Sequence, residues 1–218
     1  MPRAQTATEY IFLVAGAIMF VTFVVLVLRA NLIGETAVKL EKDVGTYFGW
    51  YAKNYIFFDN FDAGAAKWTP SPADSWQEDN GQYHALAAGV SYVGLTVSNF
   101  SYSVWLRTQG GSSGIVFRMQ NETTYYSLEA SSSPHTADLV SHGPGGSVTL
   151  ATFALSSDPN DGMTLRLDAM AGEVSVYDNG AFIATQNLPA GYYDRGLLGL
   201  VSDNLASFDN VQICKEAC

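Results

Sequence analysis

A single acid stands at the head of a membrane-length apolar run, and that pairing limits what the first quarter of the chain can become. Glu9 precedes Tyr10–Leu28, which holds no charge and no proline before Arg29 closes it. Read as a helix rising about 1.5 Å per residue, the run spans roughly 28 Å, close to the hydrocarbon thickness of a bilayer. A carboxylate at the edge of such a run costs up to about 3 kcal/mol unless a cation meets it. An ordinary secretory signal is a poor match. Its apolar core is about 7–15 residues long and ends in a small-residue cleavage site, whereas Ala30-Asn31-Leu32 follows Arg29 here. A plain signal anchor fits the run but leaves Gln5 and Glu9 without a purpose.

The stretch Gln5-Thr6-Ala7-Thr8-Glu9-Tyr10 ahead of the run resembles the class III signal peptide and N-terminal helix of archaeal type IV pilins. The resemblance implies a leader at residues 1–4, cleavage between Ala4 and Gln5, and Glu9 in fifth place of the mature chain. There the family's glutamate meets the free amine of a neighbouring subunit. Also implied are a prepilin peptidase, a pilus assembly ATPase with its platform, and a homo-polymeric filament whose subunits sit in the membrane before assembly. The short leader, Ala7 where Ser is common and Ala4 where Gly is frequent depart from the family pattern.

Beyond Arg29, Ile33, Ala37, Leu40, Val44, Tyr47 and Tyr51 recur in alternating steps of four and three, the stripe of a helix that packs along others. Residues 5–55 are therefore expected to form one helix of roughly 75 Å. Its first half is apolar on all sides, so it needs a membrane or a bundle of its own copies.

Charge divides the chain. Residues 1–55 are nearly balanced, which leaves the remainder with six basic and seventeen acidic residues of the chain's 11 and 21. Nucleic acid is a poor partner for such a surface. A solvated cell-surface module suits it better than a cytosolic enzyme.

From Ile56 the period changes to two. Tyr102, Val104 and Leu106 alternate with Ser103, Trp105 and Arg107, and Leu165 and Leu167 flank Arg166. Asp178-Asn179-Gly180 between two such runs predicts a hairpin, because Asn-Gly accepts the positive φ angles of the turn. About a dozen short strands with no helical period between them indicate an all-β sandwich or barrel.

Phe58-Asp59-Asn60-Phe61-Asp62, Gly114-Ile115-Val116-Phe117-Arg118, Val174-Ser175-Val176-Tyr177-Asp178-Asn179-Gly180, Gly196-Leu197-Leu198-Gly199-Leu200 and Phe208-Asp209-Asn210-Val211 follow one another as in the concanavalin-like, laminin-G-like jelly rolls, which this region resembles. That resemblance implies a two-sheet sandwich, used in many relatives for carbohydrate or protein recognition, with its first and last strands side by side. The chain as a whole is thus expected to be α+β: leader 1–4, helix 5–55, β-sandwich 56–213 and a cysteine-bearing tail 214–218.

Candidate sites follow from residue type. Phe-Asp-Asn occurs twice, and the slip in apolar parity at Asp209–Asn210 predicts a β-bulge. Asp59, Asp62 and Asp209 are candidates for a hard cation such as Ca²⁺, or else they cap strand ends. Trp68, Trp76, Tyr92, Tyr192 and Tyr193 fall in predicted loops or strand ends and are candidates for stacking on sugars. Tyr125-Tyr126 and Trp105 are expected on core strands. Asn99-Phe100-Ser101 and Asn121-Glu122-Thr123 are glycosylation sequons. Cys214 and Cys218, the only two cysteines, are expected to close a small disulfide loop. No closely alternating carboxylates share a strand face, and His84, His135 and His142 are dispersed, so no enzymatic activity is expected. The function expected is that of an extracellular pilin with its sandwich on the filament surface, where adhesion is a candidate role; the alternative is a membrane-anchored glycan-binding lectin that does not polymerise.

Overall fold

The structure is a computed structural model and describes residues 55–215. In chain order the strands are β1 (Tyr55–Asp59), β2 (Trp68–Ser71), β3 (Trp76–Asp79), β4 (Gln82–Ala85), β5 (Gly89–Val97), β6 (Phe100–Thr108), β7 (Ser112–Asn121) and β8 (Thr124–Ser132). They continue as β9 (His135–Gly143), β10 (Gly146–Ala154), β11 (Met163–Met170), β12 (Glu173–Asp178), β13 (Ala181–Asn187), β14 (Gly196–Ser202) and β15 (Ala206–Cys214).

These strands build two antiparallel sheets. One runs β13-β12-β11-β6-β15-β4-β3, with β1 also pairing β15; the other runs β10-β9-β8-β7-β14-β5-β2. Alternation explains how the sheets stack. On β6, Phe100, Tyr102, Val104 and Leu106 are fully buried, and on β11 Met163, Leu165, Leu167 and Ala169 point the same way. Ile115, Phe117, Leu128, Leu139, Leu198 and Leu200 of the second sheet join them in one apolar core. Period-two side-chain alternation places one face of each strand there and leaves the other for a second use.

Two local expectations hold in detail. Asn179 and Gly180 both take positive φ, 47° and 82°, as the tight β12–β13 turn requires. The register of β15 against β6 slips between Asp209 and Gln212, with Asn210 at φ 50°, so the bulge restores Val211 and Ile213 to the buried face. The first and last strands, β1 and β15, do pair.

The α+β class needs correction. Among the described residues there is no helix, and the architecture is an all-β jelly-roll sandwich. Tyr55, expected to end the helix, opens β1 instead; the rest of the helix expected over 5–55, with Ala4, Gln5 and Glu9, lies outside the described residues. No described helix is long and apolar enough to cross a membrane.

Candidate functional site: a polar and aromatic cleft on the seven-stranded sheet

The outward face of the seven-stranded sheet is not an ordinary wetted surface. Val90, Val116, Met119, Tyr125 and Val201 form a second buried apolar cluster there, separate from the main core, with Tyr92 and Leu197 packed against it. A depression of about 390 Å³ lies above this floor, walled by Ser71, Tyr125, Glu129, His142, Ser202 and Asp203. Beside it is a second depression of about 400 Å³, lined by Tyr92, Asn121 and Leu197 among others. Glu122 and Thr123, in the β7–β8 turn, belong to both.

Strand pairing assembles the polar wall. Tyr125 on β8 lies directly across from His142 on β9, and the two rings stack with centroids 4.2 Å apart and planes 20° from parallel. Four residues along β8, Glu129 turns the same way. Its Oε1 accepts from Ser127 Oγ at 2.6 Å and lies 3.3 Å from His142 Nε2. Oε2 accepts from Ser112 Oγ at 2.9 Å. His142 Nε2 also lies 2.9 Å from Ser127 Oγ, and Ser147 Oγ lies 2.8 Å from Nδ1. One assignment satisfies all of them: Ser147 donates to Nδ1, Nε2–H donates towards Ser127 and Glu129, and Ser127 donates to Glu129.

Burial alone would push the Glu129 carboxyl up, but the hydrogen bonds with His142, Ser127 and Ser112 outweigh it, and the net shift is downward. Glu129 is therefore a fixed, ionised acceptor at neutral pH. Burial, with the Glu129 charge adding to it, pushes the Tyr125 phenol up to about 12, so its hydroxyl keeps its proton.

Asp203, in the turn after β14, completes the wall. Its Oδ1 accepts the Ser112 backbone N–H at 2.6 Å, and its Oδ2 lies 3.3 Å from Ser112 Oγ. The Glu129 and Asp203 carboxylates therefore share one serine.

The residues singled out from sequence are dispersed. Tyr92 lines the second depression. Trp68 and Trp76 are each 6% exposed and lie in an aromatic stack with Phe61, Tyr83 and Phe208. Tyr192 and Tyr193 sit in the loop before β14, where the Arg118 guanidinium lies 4.8 Å from the Tyr192 ring and Tyr193 stands 6.3 Å from Tyr126. Asp59 accepts from the Phe61 backbone at 3.0 Å and from Trp68 Nε1 at 3.1 Å, with Lys67 Nζ 3.6 Å away. Asp62 accepts from Asn60 Nδ2, and Asp209 from the Asn210 backbone. Burial, with the Asp62 charge adding to it, pushes the Asp209 carboxyl up. Asp59 thus has its oxygens filled by protein donors, and among the described residues no group of three or more His, Cys, Asp or Glu is placed to hold a metal. The residues do not fit a Ca²⁺ cradle. Asn99 and Asn121 are both exposed. Cys214 is buried and disulfide-bonded; Cys218 lies outside the described residues.

Sequence reasoning missed Tyr125, Glu129, His142 and Asp203. One signal was available: in Tyr125-Tyr126 on a strand, only one ring can face the core.

No family model matches the chain. No curated protein matches it either. Solved structures do. A carbohydrate-binding module (CBM66) from Bacillus subtilis superposes with a TM-score of 0.60 at 18% identity over 68% of this chain and 95% of that one. A B. subtilis protein of unknown function with a galectin-like fold gives 0.57 at 12% identity over 75% and 96%. The endo-β-1,3-glucanase of Pyrococcus furiosus gives 0.58 at 12% identity over 75% and 94%. The expectation of no enzymatic activity is corrected by the last of these, because the same sandwich carries a glucanase. Spacing along one strand does not reveal carboxylates that the fold brings together, as it does Glu129 of β8 and Asp203 of a distant turn around Ser112. At these identities the likeness establishes the fold, a jelly-roll, galectin-like β-sandwich of the kind used by carbohydrate-binding modules and glycoside hydrolases.

Proposed function

We propose that the sandwich is a glycan-binding module of the cell surface and that sugars bind in the cleft of the seven-stranded sheet. The observation that carries this reading is the Tyr125–His142 ring pair beside the ionised, immobilised Glu129. A sugar presents an apolar C–H face and a rim of hydroxyls. The ring pair beside a fixed acceptor offers partners for both, in a concave site with a few placed polar groups. The similarity to a carbohydrate-binding module supports the same reading.

Binding of the protein to an oligosaccharide panel, followed by calorimetry, tests it. Tyr125→Ala is expected to abolish binding and, because the ring belongs to the buried floor, to lower the midpoint as well; affinity is therefore read at a temperature where the variant is folded. Binding unchanged in Tyr125→Ala places the sugar elsewhere. Release of reducing ends in the same incubations, with Glu129→Gln as control, reads whether the Glu129–Asp203 pair also cleaves a glycosidic bond.

How the module is held at the surface rests on residues 1–55 alone. The apolar run Tyr10–Leu28 supports insertion in a membrane, and Gln5 with Glu9 supports the further step of assembly into a pilus-like filament. A mass of the mature protein beginning at Gln5, together with loss of filaments in Glu9→Gln, is the expected result. An intact Met1 counts against processing at that site.

A further inference from the structure

We infer that the cleft prefers glycans carrying an unsubstituted amino group, with the ammonium seated between Glu129 and Asp203; this rests on the glycan-binding reading above and narrows it. The first ground is a proton shortage. Ser112 has one hydroxyl proton and two carboxylate claimants, Glu129 Oε2 at 2.9 Å and Asp203 Oδ2 at 3.3 Å. It serves only one at a time. Ser127 is already committed, since its own oxygen lies within 2.6 Å of Glu129 Oε1. The wall therefore holds more carboxylate lone pairs than donors, and a ligand that brings three N–H donors on one atom answers that deficit better than a hydroxyl, which brings one.

The second ground is the sign of the whole lining. Glu122, Glu129 and Asp203 border the depression beside Tyr125 and no Lys or Arg does. Glu122 spends one oxygen on Ser71 Oγ at 2.7 Å, and its other oxygen adds to the negative potential at the turn shared by both depressions. His142 is the one cationisable neighbour, and its two ring nitrogens are already engaged with Ser147, Ser127 and Glu129. A concave wall of one sign concentrates the field over the ligand. Uronic and sulfated sugars meet repulsion there, while an amino sugar meets attraction. The depression, about 390 Å³, accommodates a sugar ring with its substituents.

The experiment compares chitosan oligosaccharides with their fully N-acetylated counterparts and with oligogalacturonate at matched length, by calorimetry on the full chain at pH 6. The free amine is expected to bind roughly tenfold tighter than the N-acetylated form, the factor that one ion pair of about 1.4 kcal/mol supplies. That ratio is expected to collapse as salt shortens the screening length, and oligogalacturonate is expected not to bind. Asp203→Asn is expected to erase the amine preference. If both forms bind equally, or the preference survives Asp203→Asn, the charge selection is overturned while glycan binding stands. If no oligosaccharide binds and Tyr125→Ala changes nothing, the glycan-binding reading itself fails.

Discussion

Glu129 illustrates how one side chain ties stability to the site. Its carboxyl titrates below its ordinary value because hydrogen bonds from His142, Ser127 and Ser112 overcome the cost of burial. A carboxylate with a depressed folded-state pKa stabilises the fold above its unfolded pKa, and that contribution fades as pH falls through the folded value. Glu129→Gln is therefore expected to lower the thermal midpoint at pH 7, and the gap to the parent is expected to narrow below the ordinary glutamate range and to close only once pH has fallen through the depressed folded value. Midpoints by calorimetry across that range check it. Asp209 behaves in the opposite sense. Burial, aided by the Asp62 charge, raises its pKa, so its ionised form costs stability at neutral pH and the cost disappears on acidification. Asp209→Asn is expected to raise the midpoint at pH 7 and to match the parent near pH 3.

Arg118 is a third residue with a clear physical signature. It is 1% exposed, its Nε and Nη1 have no hydrogen-bond partner, and burial pulls its pKa down. Replacing a poorly paired buried cation by an apolar group of similar length is often neutral or stabilising, whereas truncation leaves a cavity. Arg118→Met is expected to equal or exceed the parent in midpoint, and Arg118→Ala to lose about 2–4 kcal/mol by denaturant titration.

At the scale of elements, strand alternation was the most legible signal. Leu165-Arg166-Leu167 and the Asn179-Gly180 turn carried β11, β12 and β13 in the sequence, and the parity slip at Asp209–Asn210 carried the bulge in β15. The cleft was less legible. Tyr125 and Tyr126 are adjacent in sequence, but they serve opposite faces of β8, one over the cleft and the other in the core. Pairing of β8 with β9 then sets His142 against Tyr125 across a turn, which a search for metal spacing along the chain passes over. Trp68 and Trp76 misled for the reverse reason: large rings beside turns here fill the sandwich between β2, β3 and β4.

The approach of β7 to β8 is close enough to test directly. A Cβ on Gly114 would collide with the Leu128 backbone carbonyl. Gly114→Ala must push the two strands apart at the centre of the seven-stranded sheet, and is expected to cost about 1–3 kcal/mol or more. Because Gly114 pairs with Glu129, the same change is expected to weaken glycan binding along with stability. A loss of stability with unaltered affinity at low temperature would separate the cleft from this contact.

For the whole molecule, the sandwich holds its own continuous core, from Trp76 and Phe208 through Tyr102 and Leu200 to Val176, and its compact unit begins at Asn54. A fragment of residues 54–218 is expected to unfold in one cooperative transition with a β-rich circular dichroism spectrum. What the cleft's outline adds concerns the protein's own decoration. Asn121, the first residue of a sequon, lies on the lip of the second depression, next to Glu122 and Thr123 that border both, and its Oδ1 accepts from Thr123. An oligosaccharide attached there would be a tethered competitor, held beside the binding surface at the millimolar effective concentration that a short linker gives. Occupancy of one asparagine would then decide whether the cleft is vacant for foreign sugars, filled by its own, or engaged by the sugar of a neighbouring copy.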